Sequence, residues 1–150
     1  MKYGTVQNRR ALAGSVALVI VVASVVAVGV IPPVREANVP DITPQSAVSA
    51  FWVSVGLHLL AALVLALAAA RSRGRSWAST FGLAVTGLLV LFLGFALSDA
   101  ALAFRAAGMR SVTMLLLLCV GADAVAGTLI IATAFLRPKP TQAPEEGVSS

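Results

Sequence analysis

Three ionisable side chains lie inside long apolar stretches of the sequence: His58, Asp99 and Asp123. An ionisable group at the centre of a membrane helix costs about 2.5–3.5 kcal/mol on insertion scales, so such groups usually have a partner or a function. Imidazole exchanges protons near neutral pH, and a carboxyl group beside it can act as an acid or a base. These three residues are therefore the candidate catalytic residues of the chain.

His58 and Asp123 are predicted to lie at one depth, where their side chains could meet across a helix interface. Each lies 11 residues into its apolar stretch, and the two stretches run in the same direction. Mostly small residues, which mark a face turned toward another helix, share the helical face of each: Ser54, Ala61, Ala62 and Ala69, with Phe51, near His58, and Cys119, Ala126, Gly127 and Ala134 near Asp123. Four interpretations stay open, namely a hydrogen-bonded clamp, a proton relay, a catalytic acid–base pair and no contact between the two residues.

Asp99 lies about five residues from the end of its apolar stretch, beside Phe92, Phe95 and Leu102. Its shallow position favours contact with interfacial water or an ion pair with Arg105 or Arg110. The alternative is a carboxylate that lines a cavity.

A seam of small residues occupies another face of the same stretch. It consists of Ala84, Gly87, Gly94, Ser98 and Ala101, with Leu91 as the one bulky member. Such a stripe is typical of a helix-packing surface in a membrane, because small side chains let two backbones approach closely. Gly87 and Gly94 are therefore expected at a contact with a partner.

Four apolar stretches must position these residues: 11–31, 47–70, 80–104 and 112–136. Each has 21 to 25 residues, and about 20 helical residues cross the roughly 30 Å core of a bilayer. The chain is 59% hydrophobic and 11% charged, whereas soluble domains have about 45–50% apolar and 25% charged residues. No stretch alternates polar with apolar residues as a barrel strand would. The sequence thus predicts an all-α integral membrane protein with a bundle of four transmembrane helices.

Two details of the first stretch follow from its ends. It is expected to stop at Pro32-Pro33, because proline cannot continue a helix. The proline-rich segment 32–46 is expected to be an extended strap. A cleaved signal peptide is an alternative for 11–31, although its 21 apolar residues exceed the usual length of a signal-peptide core.

The basic residues predict the orientation, because cytoplasmic loops retain Lys and Arg. Of the eleven basic residues, eight fall on one side of the predicted bundle: Lys2, Arg9, Arg10, Arg71, Arg73, Arg75, Arg137 and Lys139. Both termini are therefore expected to be cytoplasmic, with residues 1–10 as one tail and residues 137–150 as a disordered second tail.

Several kinds of chemistry are excluded by the residue inventory. One histidine and one cysteine cannot supply a zinc, bis-histidine haem or iron–sulfur site within this chain. Phosphate-binding glycine loops and a serine nucleophile elbow are absent from the sequence. No cofactor or metal is expected, and despite a pI near 10.7 neither is nucleic-acid binding.

The leading functional hypothesis is a non-catalytic subunit or scaffold that packs laterally in the bilayer, as a homo-oligomer or within a larger membrane complex. The small-residue seam and the missing cofactor ligands motivate it. One alternative is a membrane-embedded isomerase, cyclase or hydrolase that acts on a lipophilic small molecule through Asp123 or Asp99 with His58. Another is a proton-coupled transporter that works as a dimer. Whether the chain is an enzyme stays open.

Overall fold

A computed structural model describes residues 3–37, 43–70 and 77–135, apart from the side chains of residues 3–8 and 77–78. Its elements are α1 (Tyr3–Val25), a π-helical turn (Val26–Val30), α2 (Ile31–Glu36), α3 (Pro44–Ala70), α4 (Trp77–Ala106) and α5 (Arg110–Phe135). Four spans are long and apolar enough to cross a membrane: Arg9–Glu36, Pro44–Ala70, Ser79–Ala106 and Arg110–Phe135. The prediction of an all-helical chain with four membrane-length helices is confirmed, while the predicted tail 137–150 lies outside the described residues.

The first span is longer at both ends than the predicted helix 11–31. Helix α1 begins at Tyr3, and the chain stays helical through Pro32-Pro33 to Glu36. The expected stop at the prolines is therefore wrong. A proline ring inside an α-helix collides with the carbonyl four residues before it. Here the wider π-helical turn, in which the Ile31 N–H donates to the Val26 carbonyl, precedes the prolines, and they occupy the first positions of α2, where a missing N–H costs little.

The remaining helices begin or end a few residues away from their predicted limits. The structure starts α3 at Pro44 rather than at residue 47, so the predicted strap 32–46 is helical at both of its ends. Thr43 precedes α3, and its carbonyl accepts from the backbone N–H groups of Ser46 and Ala47. The other helices were predicted as 80–104 and 112–136 and are observed as Trp77–Ala106 and Arg110–Phe135.

A tight turn joins α4 to α5 at Gly108, whose φ is +78°. The Met109 N–H donates to the Phe104 carbonyl and the Gly108 N–H donates to the Arg105 carbonyl. This is the Schellman arrangement, which satisfies the last carbonyls of a helix and favours glycine because of its positive φ. The turn makes α4 and α5 antiparallel neighbours, and they pack against each other along their length.

Two apolar clusters fill the bundle, one at the end that holds the Gly108 turn and one at the end that holds Phe135. We call these ends the Gly108 end and the Phe135 end. The cluster at the Gly108 end includes Val22, Val26, Phe51, Val55, Leu97, Phe104, Leu116 and Cys119. The cluster at the Phe135 end includes Leu12, Val19, Ala61, Leu65, Val90, Ala126 and Ile130.

Candidate functional site: a buried histidine and aspartate

His58 of α3 and Asp123 of α5 form a hydrogen-bonded pair in the middle of the bundle. The His58 Nε2 atom lies 3.2 Å from Asp123 Oδ2 and 3.3 Å from Asp123 Oδ1. Both side chains are 0% exposed. The contact that the sequence left open is therefore present, between two residues that each lie 11 residues into an apolar stretch.

The second ring nitrogen of His58 is held by the backbone of its own helix. His58 Nδ1 lies 2.7 Å from the Ser54 carbonyl oxygen. A carbonyl oxygen can only accept, so Nδ1 carries a hydrogen and donates it. One further proton is then shared between Nε2 and the Asp123 carboxyl group, either as imidazolium with carboxylate or as imidazole with carboxylic acid. Both forms are hydrogen-bonded and the pair has no net charge in either.

The pair is closed off toward both ends of the bundle by apolar side chains. On α3, Val55 belongs to the cluster at the Gly108 end and Ala61 to the cluster at the Phe135 end, with His58 between them. On α5, Cys119 and Ala126 flank Asp123 in the same way. The polar layer thus consists of this one pair of side chains, and both side chains are shielded from solvent.

Gly94 of α4 makes the close approach to Asp123 possible. A Cβ atom on Gly94 would lie 2.9 Å from the Asp123 Cβ atom, which is closer than two carbon atoms pack. Only glycine fits at this position without a shift of α4. Three helices therefore build the site: α3 supplies the imidazole, α5 supplies the carboxyl group, and α4 supplies the space.

The small-residue seam of α4 packs against α5 within the same chain. A Cβ atom on Gly87 would lie 2.7 Å from Ile131 Cγ1 and 3.1 Å from the Gly127 carbonyl oxygen. The expectation that Gly87 and Gly94 contact a partner is wrong, because α5 already covers both glycines. A seam of this composition serves equally for packing within one chain and between two chains.

Ser54 completes a serine–histidine–aspartate series whose roles do not match a catalytic triad. Ser54 Oγ lies 3.4 Å from His58 Nδ1, while Asp123 bonds to the other nitrogen. In a triad the nitrogen that faces the serine accepts the hydroxyl proton. Here that nitrogen already carries a hydrogen directed to the Ser54 carbonyl. The sequence pointed to Ser54 as a neighbour of His58, but the role of its backbone carbonyl could not be inferred from residue type.

Asp99 is separate from the other two candidates. At about 100° per residue its side chain projects about 140° away from Gly94 around α4, and it is exposed. Arg105 and Arg110 are also exposed, but among the described residues neither of them forms an ion pair with Asp99. The structure therefore brings together His58 and Asp123 and leaves Asp99 on the outside of the bundle.

The donor set within the described ranges does not form a metal site, because no three His, Cys, Asp or Glu side chains converge there. Cys119 is buried one turn before Asp123 and carries a free thiol. The available chemistry at the pair is thus the holding or transfer of one proton. Comparison of the chain with protein-family models, curated proteins and solved structures finds no match.

Proposed function

We propose that this chain spans a membrane four times, with both termini in the cytoplasm, and serves as a non-catalytic subunit that packs laterally in the bilayer. The four membrane-length helices support the spanning. The cytoplasmic termini follow from the eight basic residues that the predicted topology puts on one side. The His58–Asp123 pair acts in this proposal as a clamp between α3 and α5.

The complete burial of the pair carries the proposal. A general acid or base must come within hydrogen-bond distance of its substrate, directly or through one water molecule. Both side chains are 0% exposed, and apolar layers lie on either side of them. The same layers disfavour a proton-coupled transporter, because a transported proton must reach the pair from both sides of the membrane.

A lateral partner has an apolar surface available on the outward face of α4. Leu88, Phe92 and Phe95 follow one another at spacings of four and three residues, so they lie on one helical face. They are 60%, 66% and 65% exposed. Large aromatic side chains contribute strongly to interfaces. This stripe, rather than the small-residue seam, is the proposed contact with a second copy or a larger membrane complex.

Cysteine crosslinking in native membranes tests this contact. In a Cys119→Ser background, a Phe92→Cys variant is oxidised with copper phenanthroline and analysed by non-reducing electrophoresis. We expect a discrete crosslinked band, either a dimer or an adduct of higher mass. Leu118→Cys on α5 is the matched control, because Leu118 is also outward-facing and 70% exposed. Equal crosslinking at both positions, or none at either, would contradict the proposal.

A second candidate function is a membrane-embedded enzyme with acid–base chemistry at His58 and Asp123. The proximity of Ser54 Oγ to His58 Nδ1 favours it, because Ser54 also lines an apolar groove on the surface of the bundle. A ligand in that groove would be one side chain away from the pair.

Asp123→Asn distinguishes the two candidates. The amide keeps the size of the carboxyl group and can donate a hydrogen bond to His58 Nε2, but it cannot release a proton. For a clamp, we expect Asp123→Asn to rescue a strain that lacks the native gene as well as the wild-type chain does. Failure to rescue, with a normal amount of folded variant in the membrane, would instead support the enzyme.

A further inference from the structure

An apolar groove runs between α3 and α4 in the half of the bundle at the Gly108 end. Its volume is about 390 Å³, within the range of about 300–1,000 Å³ that is usual for small-molecule sites. Five of its lining residues are alanines, whose small side chains leave space between the two helices. Its lining residues are Ala47, Ala50, Phe51, Val53, Ser54 and Leu57 of α3 and Leu93, Ala96, Leu97, Ala100, Ala103 and Phe104 of α4.

The shape of the groove selects the kind of occupant. From Leu93 to Phe104 the lining extends about 16 Å along α4 at 1.5 Å per residue. A helix with its side chains is about 10–12 Å wide, whereas an extended alkyl chain is much narrower. A slender apolar molecule therefore matches the groove along its length.

A carboxylate lies beside this apolar lining. Ala96 and Ala103, three residues before and four residues after Asp99, both line the groove, and residues at these spacings are neighbours on a helix surface. Asp99 is exposed. No cation among the described residues pairs with it, since Arg105 and Arg110 are not within ion-pair distance. A negative charge on an apolar surface thus lacks a counter-charge at the rim of the groove.

Two aromatic rings complete the apolar lining. The rings of Phe51 and Phe104 line the groove and stack with their centroids 6.0 Å apart. They are 5% and 3% exposed, so they add apolar wall for the body of a ligand. Ser54 supplies a hydroxyl group to the same lining.

We propose that this groove binds a lipophilic cation, with its apolar body along the alanine-lined walls and its cationic head against Asp99. An anionic amphiphile of the same shape is repelled by the carboxylate, and a neutral one leaves the carboxylate without a counter-charge. The site is distinct from the His58–Asp123 pair. Asp99 follows Phe95 by four residues, so it lies on the same face of α4 as the stripe formed by Leu88, Phe92 and Phe95 and nearer the Gly108 end.

Quenching of tryptophan fluorescence tests the site, with a tryptophan introduced at Val53, which lines the groove and is 62% exposed. The parent for this test is the triple variant Trp52→Phe, Trp77→Phe and Val53→Trp in phosphatidylcholine vesicles, in which residue 53 carries the single tryptophan. The probes are a decyltrimethylammonium with a brominated chain and the decylsulfonate with the same chain, since bromine quenches tryptophan at short range. We expect saturable quenching by the cation and only weak, linear quenching by the anion, which partitions into the lipid.

Three variants decide the outcome. Asp99→Asn should weaken the cation affinity at least tenfold, and Ala100→Leu, which fills the groove, should abolish saturation. Glu36→Gln is the matched control, because it removes an exposed acidic group that does not line the groove, and it should bind like the parent. Saturable quenching of equal affinity in the parent and in Asp99→Asn, or linear quenching by both probes in the parent, would overturn the proposal. Folding of each variant is checked by size-exclusion chromatography.

Discussion

At the scale of single residues, His58 bonds to Asp123 through one ring nitrogen and to the Ser54 carbonyl of its own helix through the other. The buried hydroxyl groups of Ser15, Thr86 and Thr113 donate to carbonyls of their own helices. The His58–Asp123 hydrogen bond instead connects two helices. Removing one member of a buried pair leaves the other without a partner, whereas removing both leaves only a cavity. The pair therefore specifies how α3 and α5 meet.

A double-mutant cycle measures this connection. We expect His58→Ala and Asp123→Ala each to lower the free energy of unfolding by about 3–5 kcal/mol, because each leaves a buried polar group unpaired. The double variant should lose less than the sum of the two single losses. Unfolding in detergent, followed by tryptophan fluorescence, gives the three values. Additive losses would mean that the two side chains do not stabilise each other.

At the scale of the helices, the contact between α4 and α5 depends on positions that have no side chain. Gly87 and Gly127 approach each other's carbonyl groups, to 3.1 Å and 3.0 Å respectively for an added Cβ atom. Gly94 leaves room for Asp123. Helices in lipid gain little from apolar burial, so this close packing supplies much of their attraction. By contrast, alanine side chains of α3 and α4 leave a groove between these helices at the Gly108 end.

Two glycine-to-alanine variants compare a glycine that closely contacts another helix with a glycine that has open space around it. Gly94→Ala should destabilise the protein by about 1–3 kcal/mol, since the added methyl group forces α4 away from Asp123. Gly121→Ala on α5 is the control, because nothing lies within 4 Å of its added Cβ atom. Alanine there should leave stability unchanged or raise it by up to about 1 kcal/mol through helix propensity. Equal effects of the two changes in the same unfolding assay would refute the close contact.

At the scale of the whole molecule, α4 runs from Trp77 at one end of the bundle to the Gly108 turn at the other. The proposed orientation puts the Gly108 turn on the non-cytoplasmic side, because Arg71, Arg73 and Arg75, which precede α4 in the sequence, are expected in the cytoplasm. The groove and Asp99 then belong to the non-cytoplasmic half of the membrane. A lipophilic cation would reach this half from the non-cytoplasmic side.

Labelling of intact cells checks this orientation. In a Cys119→Ser background, a membrane-impermeant maleimide should label Ala107→Cys from outside. Ser72→Cys should react only after the membrane is permeabilised. The native Cys119 is 2% exposed, and its removal ensures that any label reports the introduced thiol. The reverse labelling pattern would show that the termini face outward.

The sequence by itself determined the number of membrane-length helices and the common depth of His58 and Asp123, and the structure decided that the two side chains touch. Both properties depend on counting along a helix: length and hydropathy identify a span, and 11 residues from the start of each stretch put both side chains at one depth. Within one helix the rise and rotation per residue are constant, so depth and face can be read locally.

Only the tertiary structure decided which face meets which neighbour. The seam around Gly87 and Gly94 has the composition of an interface with a partner, yet it packs against α5 of the same chain. The first helix was expected to end at Pro32-Pro33, but a π-helical turn before the prolines allows the helical chain to continue. The groove beside Asp99 is formed jointly by side chains of α3 and α4. Each outcome depends on non-local packing between helices, and the order of residues within one helix does not contain it.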